Sequence, residues 1–165
     1  MEELLKQIEK SVNDGQYYVA LMACLTLPDI CGALGSKSGR AQRNRYIDWF
    51  NTYIKAKYSS TLDGENCYVY RCALLHQGKS KHKDLGYERI LFVEPCPRNN
   101  IFHNNIFNGA LQLDIKIFTG DIISGVRSWL ADIKNNRHFI TNYEHFLKKY
   151  NSGLPQYGFK GPVIA

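Results

Sequence analysis

The segment QYYVALMACLTLPDICGALG, residues 16–35, contains the longest apolar run of the chain, Tyr17 to Leu27, and its reading decides the fold. A helix apolar on nearly every side has to be covered from all directions, which predicts a central core helix. Pro28 is placed to open a second helical piece through Leu34, and Gly35 to end it. The apolar run is too short to cross a bilayer, so no membrane span is expected.

Working toward the N-terminus, Leu4, Leu5, Ile8 and Val12 recur at helical spacing among charged residues and predict a short amphipathic helix from Glu2 to Val12. In the other direction, Ser36 to Gly39 form a polar loop. Tyr46, Ile47, Phe50, Tyr53 and Ile54 then mark a third helix with Arg43, Asp48, Asn51 and Lys55 on its wetter side. Ser59, Ser60, Thr61 and Asp63 offer N-caps for a fourth, from about Leu62 to Gln77, which Gly78 stops.

The period then changes. Leu111, Leu113, Ile115 and Ile117 alternate with polar residues and predict a half-buried strand, with Ile90 to Val93 as its partner across an Asn-rich loop at Asn99 to Asn108. Thr119 or Asp121 caps a fifth helix carrying Ile122, Val126, Trp129, Leu130 and Ile133. A sixth runs through Phe139, Tyr143, Phe146, Leu147 and Tyr150 to Gly153, followed by an irregular tail after Pro155. The fold class is therefore mostly α, a helical bundle with a small β-hairpin. With 165 residues and neither repeat nor linker, it is expected as one domain over 1–165 with a strand-containing insertion at about 87–118.

Hydrophobic residues at 44% and charged residues at 22% exclude a disordered chain. The first residues carry Glu2, Glu3 and Glu9 and lack the basic-then-apolar pattern of a signal peptide, and five cysteines, Cys24, Cys31, Cys67, Cys72 and Cys96, suit reduced thiols. A cytoplasmic protein is expected. No Cys-x2-Cys pair and no His-x3-His spacing occurs, and residues 32–39 (GALGSKSG) lack the order of a phosphate loop, so neither a metal nor a cofactor is called for. Cys72 stands four residues before His76, but its apolar neighbours suit an inert thiol better than a nucleophile.

The net charge of +6 gathers in two places. Lys37, Arg40, Arg43, Arg45, Lys55 and Lys57 face a single acid, Asp48, and Lys79, Lys81, His82, Lys83 and Arg89 follow the fourth helix. Such clusters are either solvated surface or a track for nucleic-acid phosphates, with Arg40, Arg43, Lys79, Lys81 and Lys83 as the candidate phosphate contacts.

Within the fourth helix, Arg71-Cys72-Ala73-Leu74-Leu75-His76 sets one permanent cation and one titratable ring in an apolar segment. A buried arginine requires an acidic or phosphate partner; Asp29, Asp63 and Glu65 are the acids in question. Five residues separate the side chains by roughly 140° around the helix and about 7.5 Å along it, yet the length of arginine allows both heads to reach one phosphate near the helix end. His76 lies in the last turn, beside the negative end of the helix dipole, a place suited to a side chain that exchanges a proton near neutral pH. Cleavage of RNA by its own 2′-hydroxyl needs such a group together with a cation on the phosphate oxygens. The other reading is structural: Arg71 makes an ion pair and His76 caps carbonyls. Among Tyr68, Tyr70 and Tyr87, which could stack bases, Tyr70 adjoins Arg71 and is the candidate contact.

An arginine and a histidine with four residues between them, near the end of an apolar helix in a small helical protein, resemble the Arg-x4–6-His motif of the HEPN superfamily; the likeness covers about Asp14 to Gly78. The resemblance implies a homodimer whose motif helices meet, with Arg71 and His76 lining a shared cleft that cuts RNA without metal. It also implies a place in a toxin–antitoxin or phage-defence system, with an antitoxin as a protein partner. Other members serve as non-catalytic modules that bind protein or nucleic acid, which is the alternative here.

Overall fold

The computed structural model describes residues 1–95 and 101–165, and over these the protein is mostly helical with a small mixed sheet. Cys96 and the start of the expected Asn-rich loop, Asn99 and Asn100, lie outside the described residues. Helix α1 spans Glu2–Asn13, α2 Tyr17–Leu34, α3 Arg43–Tyr53, α4 Gly64–Gln77, α5 Ile115–Ile133 and α6 Arg137–Glu144.

Helix α2 is the hub. It touches α1, α3, α4, α5 and α6, and buries Ala20, Leu21, Cys24, Leu25, Leu27, Cys31 and Leu34. It runs unbroken through Pro28 rather than in two pieces. The missing amide and ring clash cost about 3 kcal/mol in a helix interior, and burial of the turns on either side outweighs this. By length and composition this 18-residue helix is apolar enough to cross a membrane, unlike the shorter run read from the sequence; half of it is buried inside the fold.

Two glycines fix the placement of α4. At its start Gly64 lies so close to α3 that a Cβ there would sit 2.6 Å from the Ile47 carbonyl oxygen, while Asp63 caps the helix by accepting from the Asn66 amide at 2.9 Å. At its end Gly78 adopts φ 62°, the left-handed region that glycine enters without penalty, and its N–H closes the last turn on the Leu74 carbonyl. These caps hold the Arg71–His76 segment in a defined helical phase.

The sheet differs from the expected hairpin. Strand β1 (Arg89–Val93) pairs in parallel with β3 (Ala110–Asp114), and it is β2 (Asn105–Phe107) that forms the hairpin with β3, through Asn108 and Gly109, both at positive φ. An Asn-Gly pair between short strands is the composition such a turn requires. The strand also stops earlier than its alternation suggests. The Asp114 carboxylate accepts from the amides of Lys116 and Ile117 at 2.8 and 3.0 Å, so Ile115 and Ile117 belong to α5. Thr119 and Asp121, expected as caps, lie inside that helix. Thr119 donates to the Ile115 carbonyl, and Asp121 accepts from Lys57 and Tyr58. Helix α6 ends at Glu144; beyond it, Lys149–Tyr150 (β4) pair with Val163–Ile164 (β5), so the tail expected to be irregular closes as a two-stranded ladder.

Gly64→Ala is expected to lower the unfolding free energy by about 1–3 kcal/mol, because the helices must part to admit the methyl group. Gly120→Ala on α5, where a Cβ meets nothing within 4 Å, is expected to raise it by about 0.5–1 kcal/mol. Thermal or urea unfolding of the two variants reads both signs.

Candidate functional site

Arg71 projects from α4 across α2 and forms an ion pair there with Asp29. The Asp29 residue is 8% exposed and the Arg71 side chain 17%, so this is a largely buried bridge between two core helices. Burial holds the Asp29 carboxyl above its ordinary range, with the charges of Arg71 and His76 pulling the other way. Of the three acids considered as partners, Asp63 is spent as the α4 cap and Glu65 pairs with Arg43. Packing of α2 on α4 selects Asp29.

The same guanidinium meets the histidine. Arg71 Nη1 lies 2.9 Å from His76 Nε2, so the two heads converge in spite of their separation around the helix. A guanidinium only donates, and Nε2 must therefore accept, which places the proton of the neutral ring on Nδ1. Arg71 Nη1 also lies 3.7 Å from the Cys72 sulfur, and Arg71 Nε has no acceptor among the described residues. His76 itself is exposed. The result is a cation anchored at its buried side and presented, at its outer side, to an imidazole in contact with solvent.

The remaining candidates divide. Tyr70 is buried, 4% exposed, with its ring 5.4 Å from that of Phe92, so it is a core residue and not a surface contact in this conformation. Its neighbour Tyr68, half-buried, is the aromatic residue at the site: the guanidinium carbons of Arg71 and Arg43 each lie 5.9 Å from its ring centroid. The helical spacing of Tyr68 and Arg71, i and i+3, is the signal in the sequence that would have singled it out. Arg40 precedes α3, and Lys79, Lys81 and Lys83 follow α4; all four are exposed, and Lys81 bonds Glu88 at 2.9 Å.

Among the described residues, Cys24, Cys31 and Cys67 are sealed in the core, where burial pushes Cys67 up to about 12 and Cys24 and Cys31 above the ordinary thiol range. These three are structural. Among the described residues, no group of three or more His, Cys, Asp or Glu side chains is placed to hold a metal ion. Comparison with known proteins finds no matching family model, no matching curated protein and no matching solved structure.

Removing one partner of a mostly buried pair strands the other charge. Arg71→Ala and Asp29→Ala are each expected to destabilise by about 2–4 kcal/mol, somewhat below the fully buried case because Arg71 is partly wet. The double variant Asp29→Leu/Arg71→Met should recover most of that loss, and a double-mutant cycle by urea unfolding measures the coupling.

Proposed function

We propose that the chain is a metal-independent endoribonuclease of HEPN type, acting as a homodimer on RNA. The observation that carries this reading is the 2.9 Å contact between Arg71 and His76 at the exposed end of α4. In the proposed reaction RNA exchanges the Arg71–His76 hydrogen bond for one from the ribose, and the freed His76 Nε2 takes the proton of the 2′-hydroxyl, whose oxygen attacks the adjacent phosphorus. The P–O5′ bond breaks to leave a 2′,3′-cyclic phosphate, and the departing O5′ takes a proton back from the His76 imidazolium to become the 5′-hydroxyl. Arg71 faces the charge that gathers on the non-bridging oxygens, and Asp29 keeps its guanidinium in place. Tyr18, Val19 and Met22 lie exposed on α2 and suit a second copy as cover, in keeping with the proposed dimer. A cytoplasmic toxin or phage-defence effector, held by an antitoxin, is the biological setting that fits such an activity.

A second reading is favoured by a different observation. Arg71 already has a carboxylate partner in the core, as a structural ion would. On that reading the domain is a non-catalytic module that binds protein or nucleic acid.

Activity decides between them. Under the first, purified protein in excess chelator cuts RNA to fragments with 2′,3′-cyclic phosphate ends, and His76→Ala abolishes cutting without changing the melting temperature. Arg71→Lys, which keeps the charge and loses the fork, slows cutting roughly 10- to 100-fold. Intact RNA under all conditions, or a His76→Ala variant that cuts like wild type, leaves the module reading in its place.

A further inference from the structure

Next to the Arg71–His76 contact, a cleft of about 320 Å³ opens on the outer face of α4, lined by Arg43, Glu65, Tyr68, Cys72, His82 and Asp84. Glu65, Tyr68 and Cys72 follow one another at helical spacing, and the next turn on that face brings His76, so the cleft runs toward the candidate reacting group. The Tyr68 ring stands over it with its inner edge fixed by Tyr46, whose ring packs against it edge to face at 5.3 Å.

Two cations serve this one ring. Arg71 and Arg43 reach it from different helices, each 5.9 Å from its centroid, so the distance between them cannot exceed twice that value. The two differ in how they are held. Arg71 is anchored on buried Asp29, whereas Arg43, about half exposed, has among the described residues one ion-pair partner, Glu65, itself 44% exposed. An exposed ion pair and a solvated cation–π contact are each worth little, so the Arg43 guanidinium is free to exchange its partners for a phosphate and to uncover the ring. A fixed cation and an exchangeable cation at one aromatic ring are the components a single nucleic-acid strand requires: phosphates on the charges and a base on the ring.

We propose that Arg43 and Tyr68 form a one-nucleotide subsite for single-stranded RNA, adjacent to the phosphate held by Arg71. The proposal deepens the ribonuclease reading and rests on it for the direction of the strand. It assigns the substrate class as unpaired RNA, since a base can lie on Tyr68 only when it is out of a duplex.

The test is fluorescence anisotropy with a short 2′-O-methyl RNA oligonucleotide, which has no free 2′-hydroxyl and stays intact, in single-stranded and in duplex form. The proposal expects tighter binding of the single strand. Tyr68→Leu should weaken it about 5- to 150-fold and Tyr68→Trp should restore it, as stacking requires and a lost packing contact does not. Arg43→Gln should lower the slope of log affinity against log salt by about 0.7, the value for one phosphate on a single strand. Equal affinity for duplex, or a folded Tyr68→Leu variant that binds like wild type, overturns the subsite. Cleavage by wild type is scored separately: intact RNA alongside Tyr68-dependent binding removes the nuclease reading and upholds the subsite, whereas cleavage with Tyr68-independent binding upholds the nuclease and removes the subsite.

Discussion

The arrangement of the site depends on one interaction, the ion pair of Asp29 with Arg71 between the two central helices. A charge on each of α2 and α4 would be costly alone, and together they fix how those helices pack and where the arginine head emerges. Once the guanidinium is pinned at its inner side, its outer nitrogen reaches the His76 ring in the last turn of α4, which the left-handed cap at Gly78 ends. Capping, packing and charge therefore converge on a few ångströms of surface. The same pair also carries stability, so loss of activity on removing Arg71 has to be separated from loss of fold.

The surrounding chemistry is graded from dry to wet. Asp29 is almost closed off, Arg71 is partly exposed, and His76 and Arg43 stand in solvent. Such a gradient lets a site keep one charge immobile while the groups around it exchange partners with a ligand. It gives the proposed division of labour its physical basis: the buried carboxylate positions, the arginine faces charge, and the imidazole moves the proton.

How much of this was legible in the sequence depended on the range of the interactions. Helices α1, α3, α4 and α5 follow from local periodicity, and Arg71 and His76 stood out because an ion in an apolar helix needs a reason. Asp114 was harder to read: Ile115 and Ile117 continue the alternation of Leu111 and Leu113, and only the bonds its carboxylate makes to the next two amides turn the chain into a helix. Ile90 to Val93 is legible as the partner of the Leu111 strand, but the parallel sense of that pairing, between residues about twenty positions apart, leaves no local trace; the β2–β3 hairpin with its Asn108-Gly109 turn lies where the Asn-rich stretch reads only as loop. Asp29 was one of three acids that composition offered equally, and packing alone chose it. Tyr70 stands out in the sequence for its place next to Arg71, but adjacent residues on a helix point in different directions, and Tyr68, three positions before Arg71, shares its face.

The most direct measurement of the central claim, that Arg71 and His76 act as one unit, is ¹⁵N NMR of the His76 imidazole in its neutral form. If Arg71 donates to Nε2 as the geometry requires, the proton resides on Nδ1 and Nε2 shows the shift of an unprotonated, hydrogen-bonded nitrogen. A neutral ring with its proton on Nε2 would mean that Arg71 does not donate there, and the two residues would not share a site.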